Sequence, residues 1–236
     1  IVRSLGVDEF TTLPALNLAG AGGRVIVPIQ ESDPAACERL IDAEVKVRGV
    51  CTTQYNPRGQ LIRVAVQAST MADIQVTKPA PISPEAGGPR RISTLLRYAP
   101  QEEHGHRVRV EGVVVLQQLG RVLVIADESQ GLYVLTRQNT PLRAGDKVEV
   151  MGFPLAGEYV SPVLEEAVFR KIGQGQPVAP RKVTAEAGRL SRNDATLVEM
   201  EATLLNRVAR ERDQILELQA GEFLFYAEVN GTPGKS

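Results

Sequence analysis

Val108-Arg109-Val110-Glu111-Gly112 is the stretch that decides the fold, because its order of apolar, charged, apolar, variable and Gly residues recurs along the chain. The same order occurs at Val45-Lys46-Val47-Arg48-Gly49 and at Val148-Glu149-Val150-Met151-Gly152, with a degenerate version at 198–202. Alternation with a period of two puts the apolar side chains on one face, which is typical of a half-buried antiparallel strand. The Gly that closes each stretch predicts a bulge or a bend.

Residues 91–173 carry the most complete set of such strands. Their apolar and alternating runs predict a short helix at 93–98 and then strands at 107–117, 121–126, 131–136, 146–152 and 162–171. Five antiparallel strands of these lengths predict an OB-type barrel. The long first strand has to bend to serve both sheets, and Gly112 is the predicted position of that bend because it has no Cβ.

Long-range matches indicate that this barrel is one of several tandem modules. Ile92 and Val183, each after a Pro-containing segment, are 91 positions apart, and Gly49 and Gly152 are 103 apart. We therefore predict an all-β chain of tandem OB-like five-stranded antiparallel barrels, one complete and two partial. The predicted boundaries are 1–80 for a first module with a truncated N-terminus, 81–90 for a Pro-rich linker, 91–173 for the complete second module, 174–182 for a linker, and 183–236 for a third module that stops after its third strand.

The composition fits a folded protein and argues against several classes. The 236 residues are 43% hydrophobic and carry a formal net charge of -1, which argues against disorder and against a bulk polyanion binder. No run approaches the roughly 18 apolar residues of a membrane-spanning helix. Because the chain begins at Ile1 and has no signal peptide, we expect it to be a fragment of a longer protein. Cys37 and Cys51 are expected to be free, buried thiols.

The stretch from Arg97 to Gly173 resembles the OB-like repeats in the extracytoplasmic region of bacterial membrane-anchored sensor histidine kinases. The residues that carry the resemblance lie in strands and turns: His106–Val114, Asp127–Leu132, Thr136–Leu142, Gly145–Pro154 and Ser161–Ala167. Val45–Asn56 resembles the fourth strand and the next loop of the preceding repeat. The resemblance implies a periplasmic segment of a two-component signal-transduction receptor, whose membrane anchor and kinase lie outside residues 1–236.

Two Gly-rich stretches have the composition of phosphate-binding loops but not the pattern. Gly231–Ser236 ends in Gly-Lys-Ser, yet Val229 stands where a Walker A loop requires Gly. Gly20–Gly23 precedes a predicted strand at 24–29 and therefore predicts a hairpin turn. We predict neither stretch to be a phosphate site.

Catalytic and metal sites are not predicted either. His104 and His106, beside Glu102 and Glu103, offer too few ligands for a metal, which favours a solvated loop. Glu165-Glu166 are neighbours on a strand, so they are expected to face opposite sides of the sheet and not to form a carboxylate pair. We therefore predict no catalytic residue, no metal and no cofactor.

A ligand or partner face is predicted at the mouth of the middle barrel, around the loops that flank the usual OB binding face. The candidates lie on or beside strands 1, 3 and 4 and are Gln117, Gln118, Arg121, Tyr133, Arg137, Gln138, Phe153 and Tyr159. The alternative is that Tyr133 and Phe153 simply fill a small barrel.

These features lead to three alternative functions. We predict a non-catalytic extracytoplasmic sensing or interaction module of a sensor-kinase-type receptor, with an unknown small ligand or protein partner. The first alternative is an OB-fold nucleic-acid-binding protein, because Val124–Leu132 also resembles the strand 2–3 hairpin of anticodon-binding OB domains. Strong nucleic-acid binding is not expected, since Tyr133 is the only stacking aromatic on strands 2 and 3. The second alternative is a structural spacer between a ligand domain and the membrane.

Overall fold

The computed structural model describes residues 1–20, 23–81, 88–95, 105–155, 161–209 and 213–230. With 57% of the described residues in strands and 9% in helices, the predicted all-β, OB-like fold class is confirmed. Among the described residues, no helix has the length and apolar character needed to cross a membrane. The chain divides into two compact units, Ile1–Gly88 with Ala99–Arg109 and Pro89–Tyr98 with Val110–Ser236. The number of barrels and the predicted module boundaries stay predictions.

The first unit is built on a five-stranded sheet. Its elements are β1 (Val2–Val7), β2 (Pro14–Gly20), β3 (Gly23–Glu31), α1 (Pro34–Glu38), β4 (Glu44–Val47), β5 (Val50–Tyr55), β6 (Leu61–Thr70), a 3-10 turn (Met71–Asp73) and β7 (Ile74–Lys78). The sheet has the order β1-β2-β3-β6-β5, and β4 and β7 form a separate pair. β3 and β6 run parallel, while the other neighbours in the sheet are antiparallel. Gly20 pairs with Gly23 across the β2–β3 hairpin, which confirms the turn predicted there.

The short helix α1 closes one side of this sheet. Asp33 caps it by accepting a hydrogen bond from the Ala35 N–H at 3.0 Å, and Pro34 occupies the first turn, where its missing N–H costs nothing. α1 buries Cys37 against the core residues Val2, Leu16, Val27 and Ile29.

The two cysteines differ in environment. Both are free, and Cys37 is buried as expected. Cys51 is exposed, so that part of the prediction is wrong. It lies on β5, an edge strand on which nearly every residue is exposed, so the apolar stretch before it does not continue into the core.

The second unit contains the predicted closed barrel. After a 3-10 turn (Ile92–Thr94) come β8 (Val108–Gln118), β9 (Val122–Ala126), β10 (Gly131–Leu135), β11 (Asp146–Leu155) and β12 (Val163–Gln174). These strands close in the order β10-β12-β11-β8-β9. β10 and β12 pair in parallel, which corrects the expectation of an entirely antiparallel barrel. The interior is filled by buried apolar side chains from all five strands: Val110, Val114, Leu123, Ile125, Leu132, Val134, Val148, Val150, Phe153, Leu164 and Ala167.

Two of the three Gly residues that close the alternating stretches mark irregular strands, as predicted. Gly49 lies in a bend between β4 and β5. Gly152 lies at a shift of the β11–β12 register between Met151 and Phe153. The pattern therefore correctly located a bend between β4 and β5 and a bulge within β11.

Gly112 does not bend β8, and this prediction is wrong. Buried and half-buried residues alternate through Gly112 as far as Val115, and the β8–β9 register shifts only between Val114 and Leu116. A Cβ at Gly112 would lie 3.0 Å from the Ala126 carbonyl oxygen and 3.0 Å from the Ile125 Cδ1. Close packing, and not a bend, is therefore the reason for Gly at this position.

The remainder of the second unit is a small open sheet. Its elements are β13 (Arg181–Lys182), α2 (Ala185–Gly188), a 3-10 turn (Ser191–Asn193), β14 (Val198–Glu199), β15 (Thr203–Ala209), β16 (Asp213–Ala220) and β17 (Phe223–Asn230). β15, β16 and β17 form a three-stranded meander, and the short β13 and β14 form a parallel pair. The opening strand of this sheet is 203–209 and not the predicted 198–202, because Val198 and Glu199 pair with Arg181 and Lys182 instead.

Candidate functional site

The middle barrel carries an open groove of about 480 Å³. The turn between β8 and β9 forms one wall, the end of β10 and the following loop form the floor, and β12 forms the other wall. The lining residues are Gly120, Arg121, Leu135, Thr136, Arg137, Gln138, Glu165, Glu166, Ala167 and Val168. Three of the eight predicted site residues, Arg121, Arg137 and Gln138, are therefore brought together.

Two guanidinium groups supply the positive charge of this groove. The side chains of Arg121 and Arg137 are 65% and 80% exposed, so both are free to move toward a ligand. Arg121 lies 3.9 Å from carboxylates of Asp213 and Glu228, and Arg137 lies 3.9 Å from Glu166. Separations at the limit of an ion pair, between exposed groups, stabilise the fold by little and leave both cations available.

The two neighbouring Glu residues do not face opposite sides as predicted. Glu166 has a φ of 48°, in the left-handed region, and lies where the β11–β12 register shifts opposite Gly152. This bulge interrupts the alternation of β12, so Glu165 and Glu166 both line the groove. The groove is consequently mixed in charge, with cations on one wall and floor and carboxylates on the other wall.

Two predicted binding amides are used by the protein itself. Gln138 accepts a hydrogen bond from the Phe169 N–H at 2.5 Å and donates one to the Phe169 carbonyl oxygen at 3.3 Å. Gln117 likewise accepts from the Leu142 N–H at 2.7 Å and donates to the Thr140 carbonyl oxygen at 2.9 Å. Each amide accepts from a backbone N–H and donates to a backbone carbonyl, as a neighbouring strand would. Gln117 thereby ties the loop after β10 to β8, and Gln138 ties the same loop to β12.

Tyr133, the predicted stacking aromatic, is held by a neighbouring segment. Its hydroxyl donates to Asp194 Oδ1 at 3.2 Å, while Asp194 Oδ2 accepts from the Ser161 N–H at 2.9 Å. Burial and the charge of Asp194 raise the pKa of the Tyr133 hydroxyl, which remains a neutral donor. The Ala195 carbonyl oxygen packs directly on Gly131, where any Cβ would overlap it. The segment 194–195 therefore covers the part of the barrel face around Tyr133.

The remaining predicted site residues are not at the groove. Phe153 is completely buried in the barrel, so it fills the core and cannot contact a ligand. Gln118 is half-buried at the end of β8, and Tyr159 lies outside the described residues. Sequence reasoning missed Asp194, which is 61 positions from Tyr133 and carries no local signal.

The other sequence features do not form a second site in the part of the chain that is described. His106 Nδ1 lies 2.9 Å from Asp42 Oδ1 in the first unit, where Asp42 also accepts hydrogen bonds from the Arg107 N–H. No group of three or more potential metal ligands occurs among the described residues. His104 and the Gly-Lys-Ser sequence of 231–236 lie outside them.

No family model and no curated protein matches the chain. Among solved structures, the p204 HINb domain covers 73% of this chain and 94% of its own, at 16% identity and a TM-score of 0.29. A murine DNA-binding protein bound to double-stranded DNA covers 75% and 94%, at 16% identity and a TM-score of 0.32. The Ifi202 HINa domain in complex with double-stranded DNA covers 75% and 94%, at 12% identity and a TM-score of 0.29.

These structures correct the predicted function. Two of them are complexes with double-stranded DNA, whereas we predicted a sensing module of a histidine-kinase-type receptor. The signal-transduction and two-component assignments are corrected with it, and so is the expectation that strong nucleic-acid binding is absent. With TM-scores of 0.29 to 0.32, the likeness does not extend to individual residue positions. The extracytoplasmic location stays a prediction.

Proposed function

We propose that the chain is a non-catalytic OB-type protein that binds nucleic acid through the groove of its middle barrel. The observation that carries the proposal is the pair of exposed guanidinium groups, Arg121 and Arg137, which line one groove of a closed five-stranded barrel. Guanidinium groups suit phosphates because their planar donors match two phosphate oxygens at once.

The composition of the groove supports binding of the backbone and not recognition of base sequence. The Gln138 amide, which has the donor and acceptor to recognise a base edge, is already paired with the Phe169 backbone. Leu135 and Val168 remain exposed in the groove and offer apolar surface to a sugar or a base. We therefore expect weak sequence preference, with affinity dominated by phosphate contacts.

The carboxylates of the groove set the direction of a bound strand. Glu165 and Glu166 on β12 repel phosphates, so the backbone is expected to follow the side formed by Arg121 and Arg137. Two phosphate contacts predict a modest affinity with a shallow salt dependence, a slope of about −1.8 for log affinity against log salt on duplex DNA.

The proposal is tested by fluorescence anisotropy with labelled 16-mer DNA, the same RNA sequence and a DNA duplex, from about 20 to about 200 mM salt. We expect the double variant Arg121→Ala, Arg137→Ala to lose at least about tenfold in affinity and to reduce the salt slope by about one to two. Arg58→Ala is the matched control, because Arg58 is an exposed arginine in a turn of the first unit.

Three outcomes would contradict the proposal. Absence of binding to all three probes at low salt would favour the structural spacer instead. Equal losses for Arg58→Ala and for the double variant would mean that the chain binds through its general charge. An unchanged salt slope in the double variant would place any binding outside the groove.

A further inference from the structure

The open sheet β15–β17 begins with the same irregularity as the closed barrel. In the barrel, the register of β8 on β9 shifts between Val114 and Leu116. In the open sheet, the register of β15 on β16 shifts between Leu204 and Asn206. Leu204 lies 90 residues after Val114, and Asn206 lies 90 residues after Leu116. A bulge bends its strand, so β15 and β8 are bent at the same place.

The cross-strand partners of Val114 and Leu204 also correspond. In the barrel, Val114 pairs with Ile125, which pairs with Leu132, and all three side chains point into the core. In the open sheet, Leu204 pairs with Leu218, which pairs with Phe225. The face of β15–β17 that carries Leu204, Leu218 and Phe225 is therefore equivalent to the interior of a barrel.

This equivalent of a barrel interior is only partly covered. Val114 is 1% exposed, whereas Leu204 at the matching position is 53% exposed. All seven residues of β15 are exposed, including Leu205 and Val208. α2 and its neighbours cover only the end of the sheet around Phe223 and Phe225, around a cleft of about 360 Å³. Among the described residues, β15 pairs with β16 alone, and apolar surface of this kind on an edge strand favours strand addition.

The closed barrel shows what occupies the two free edges. On the β8 side the fourth strand, β11, completes the ring, and on the β10 side the fifth strand, β12, pairs in parallel. β11 and β12 are themselves an antiparallel pair. Their inward residues alternate along each strand, and they include Val148 and Val150 on β11 and Leu164 on β12.

We propose that the sheet β15–β17 binds a β-hairpin of a partner protein, and that this hairpin completes a second barrel. One strand of the hairpin pairs with the free edge of β15, and the other pairs in parallel with the free edge of β17. The hairpin carries apolar residues at alternate positions on one face, as 146–174 does, and covers Leu204, Leu218 and Phe225. A second copy of the chain is a poor occupant, because its corresponding sheet lacks the same two strands among the described residues.

The test appends a copy of residues 143–176 after Ser236 through a flexible Gly/Ser linker of about 15 residues. We expect amide hydrogen exchange in Thr203–Ala209 to become at least about tenfold slower, because the free edge becomes hydrogen-bonded. The matched control carries Val148→Lys and Val150→Lys in the appended copy only, and it is expected to leave the exchange rate unchanged.

Two outcomes would overturn the proposal. Unchanged exchange of Thr203–Ala209 in the fusion with the unaltered hairpin would show that the sheet does not accept these strands. A dimer of the unfused chain in which the same amides are already protected would show that a second copy covers the edge. The chain alone is therefore measured first, by analytical ultracentrifugation and by hydrogen exchange.

Discussion

Gly49 in the first unit and Gly152 in the barrel close the same sequence pattern, but the strands around them pair differently. β11 continues through Gly152 for ten residues, and its bulge keeps it within one closed barrel. At Gly49 the corresponding strand divides, so that β4 pairs with β7 while β5 remains in the main sheet with β6. The difference shows that a kink in one strand does not by itself decide whether a sheet closes.

The partner strand explains the difference. β12 runs without interruption, and Glu166 absorbs the kink of β11 in a bulge. In the first unit the 3-10 turn Met71–Asp73, in which Thr70 and Asp73 form a capping box, separates β6 from β7. The Arg48 N–H donates to the Asp73 carbonyl oxygen at 2.9 Å, so both strands turn out of the sheet together. An opened sheet requires a break in both strands.

The largest effect is expected for Gly49→Ala. A Cβ at Gly49 would overlap the carbonyl oxygen and come within 2.8 Å of the carbonyl carbon of Gln67, which are backbone atoms and cannot rotate away. We expect a loss of at least about 3 kcal/mol in the free energy of unfolding of the first unit. Urea denaturation followed by NMR signals of β5 and β6 measures it. Gly173→Ala is the control, since nothing lies within 4 Å of its added Cβ.

A smaller loss is expected for Gly152→Ala in the barrel. Its Cβ would lie 2.9 Å from the Ala167 Cβ and 3.1 Å from the Leu164 Cβ, so the bulge has to shift by a few tenths of an ångström. We expect a loss of about 2 kcal/mol in the free energy of unfolding of the barrel. Urea denaturation monitored by the NMR signals of β11 and β12 measures it. If Gly152→Ala cost more than Gly49→Ala, the barrel bulge would be the more rigid of the two kinks, and the comparison would have to be reversed.

A still smaller effect is expected when the capping box is removed. Asp73→Ala deletes the acceptor of the Ser69 and Thr70 N–H groups, and we expect the amides of β4 and β7 to exchange about fivefold faster. Asp73 also pairs with Arg48 at 2.9 Å, but the Arg48 side chain is 85% exposed. Arg48→Ala is therefore expected to change little, because an exposed ion pair contributes little. Equal acceleration of exchange in Asp73→Ala and Arg48→Ala would mean that the ion pair, and not the capping box, stabilises the turn between β6 and β7.

Much of the fold could be predicted because its strands alternate and its turns are punctuated. The five barrel strands lie within three residues of their predicted bounds, and the hairpin at 20–23 and the cap at Asp33 carry local signals. β5 was not predicted as a strand, since an edge strand with both faces exposed has no alternating pattern. Gly112 predicts a bend of β8 because Gly has no Cβ, whereas the irregularity of β8 lies between Val114 and Leu116, where the sequence carries no Gly.

The site was less predictable, because its residues are decided by contacts between distant segments. Arg121 and Arg137 could be named from the loops that flank an OB face. That Gln117 and Gln138 bind backbone groups across 25 and 31 positions could not be predicted, since the same side chains suit a ligand equally well. The loss of alternation at Glu166 depends on its positive φ, which the sequence does not predict for a Glu residue.

Asp146 in the barrel and Ala43 in the first unit hold the same position, two residues before the alternating stretches that start at Val148 and at Val45. Asp146 is buried and accepts hydrogen bonds from Lys171 Nζ at 2.6 Å and from the Arg143 N–H at 3.0 Å. The bond from Lys171, followed by that from Arg143, holds the pKa of the Asp146 carboxyl below its ordinary value. In the unfolded chain the pKa returns to about 3.9.

A carboxyl whose pKa is lower in the folded state stabilises the protein above the pKa of the unfolded state, and this stabilisation is lost as the pH falls through the folded-state pKa. The barrel is therefore expected to lose stability below about pH 4, and Asp146→Asn is expected to flatten that loss while lowering stability at neutral pH. Melting followed at NMR signals of Val148 and Val150 measures it, with Leu16 and Val27 reporting on the first unit. The hydrogen bond from Arg48, followed by that from the Thr70 N–H of the capping box, lowers the pKa of Asp73, so the first unit should keep its own acid dependence in the Asp146→Asn variant. If the pH dependence of stability flattened in both units of the Asp146→Asn variant, it would come from net charge, and the Asp146–Lys171 pair would have no local effect.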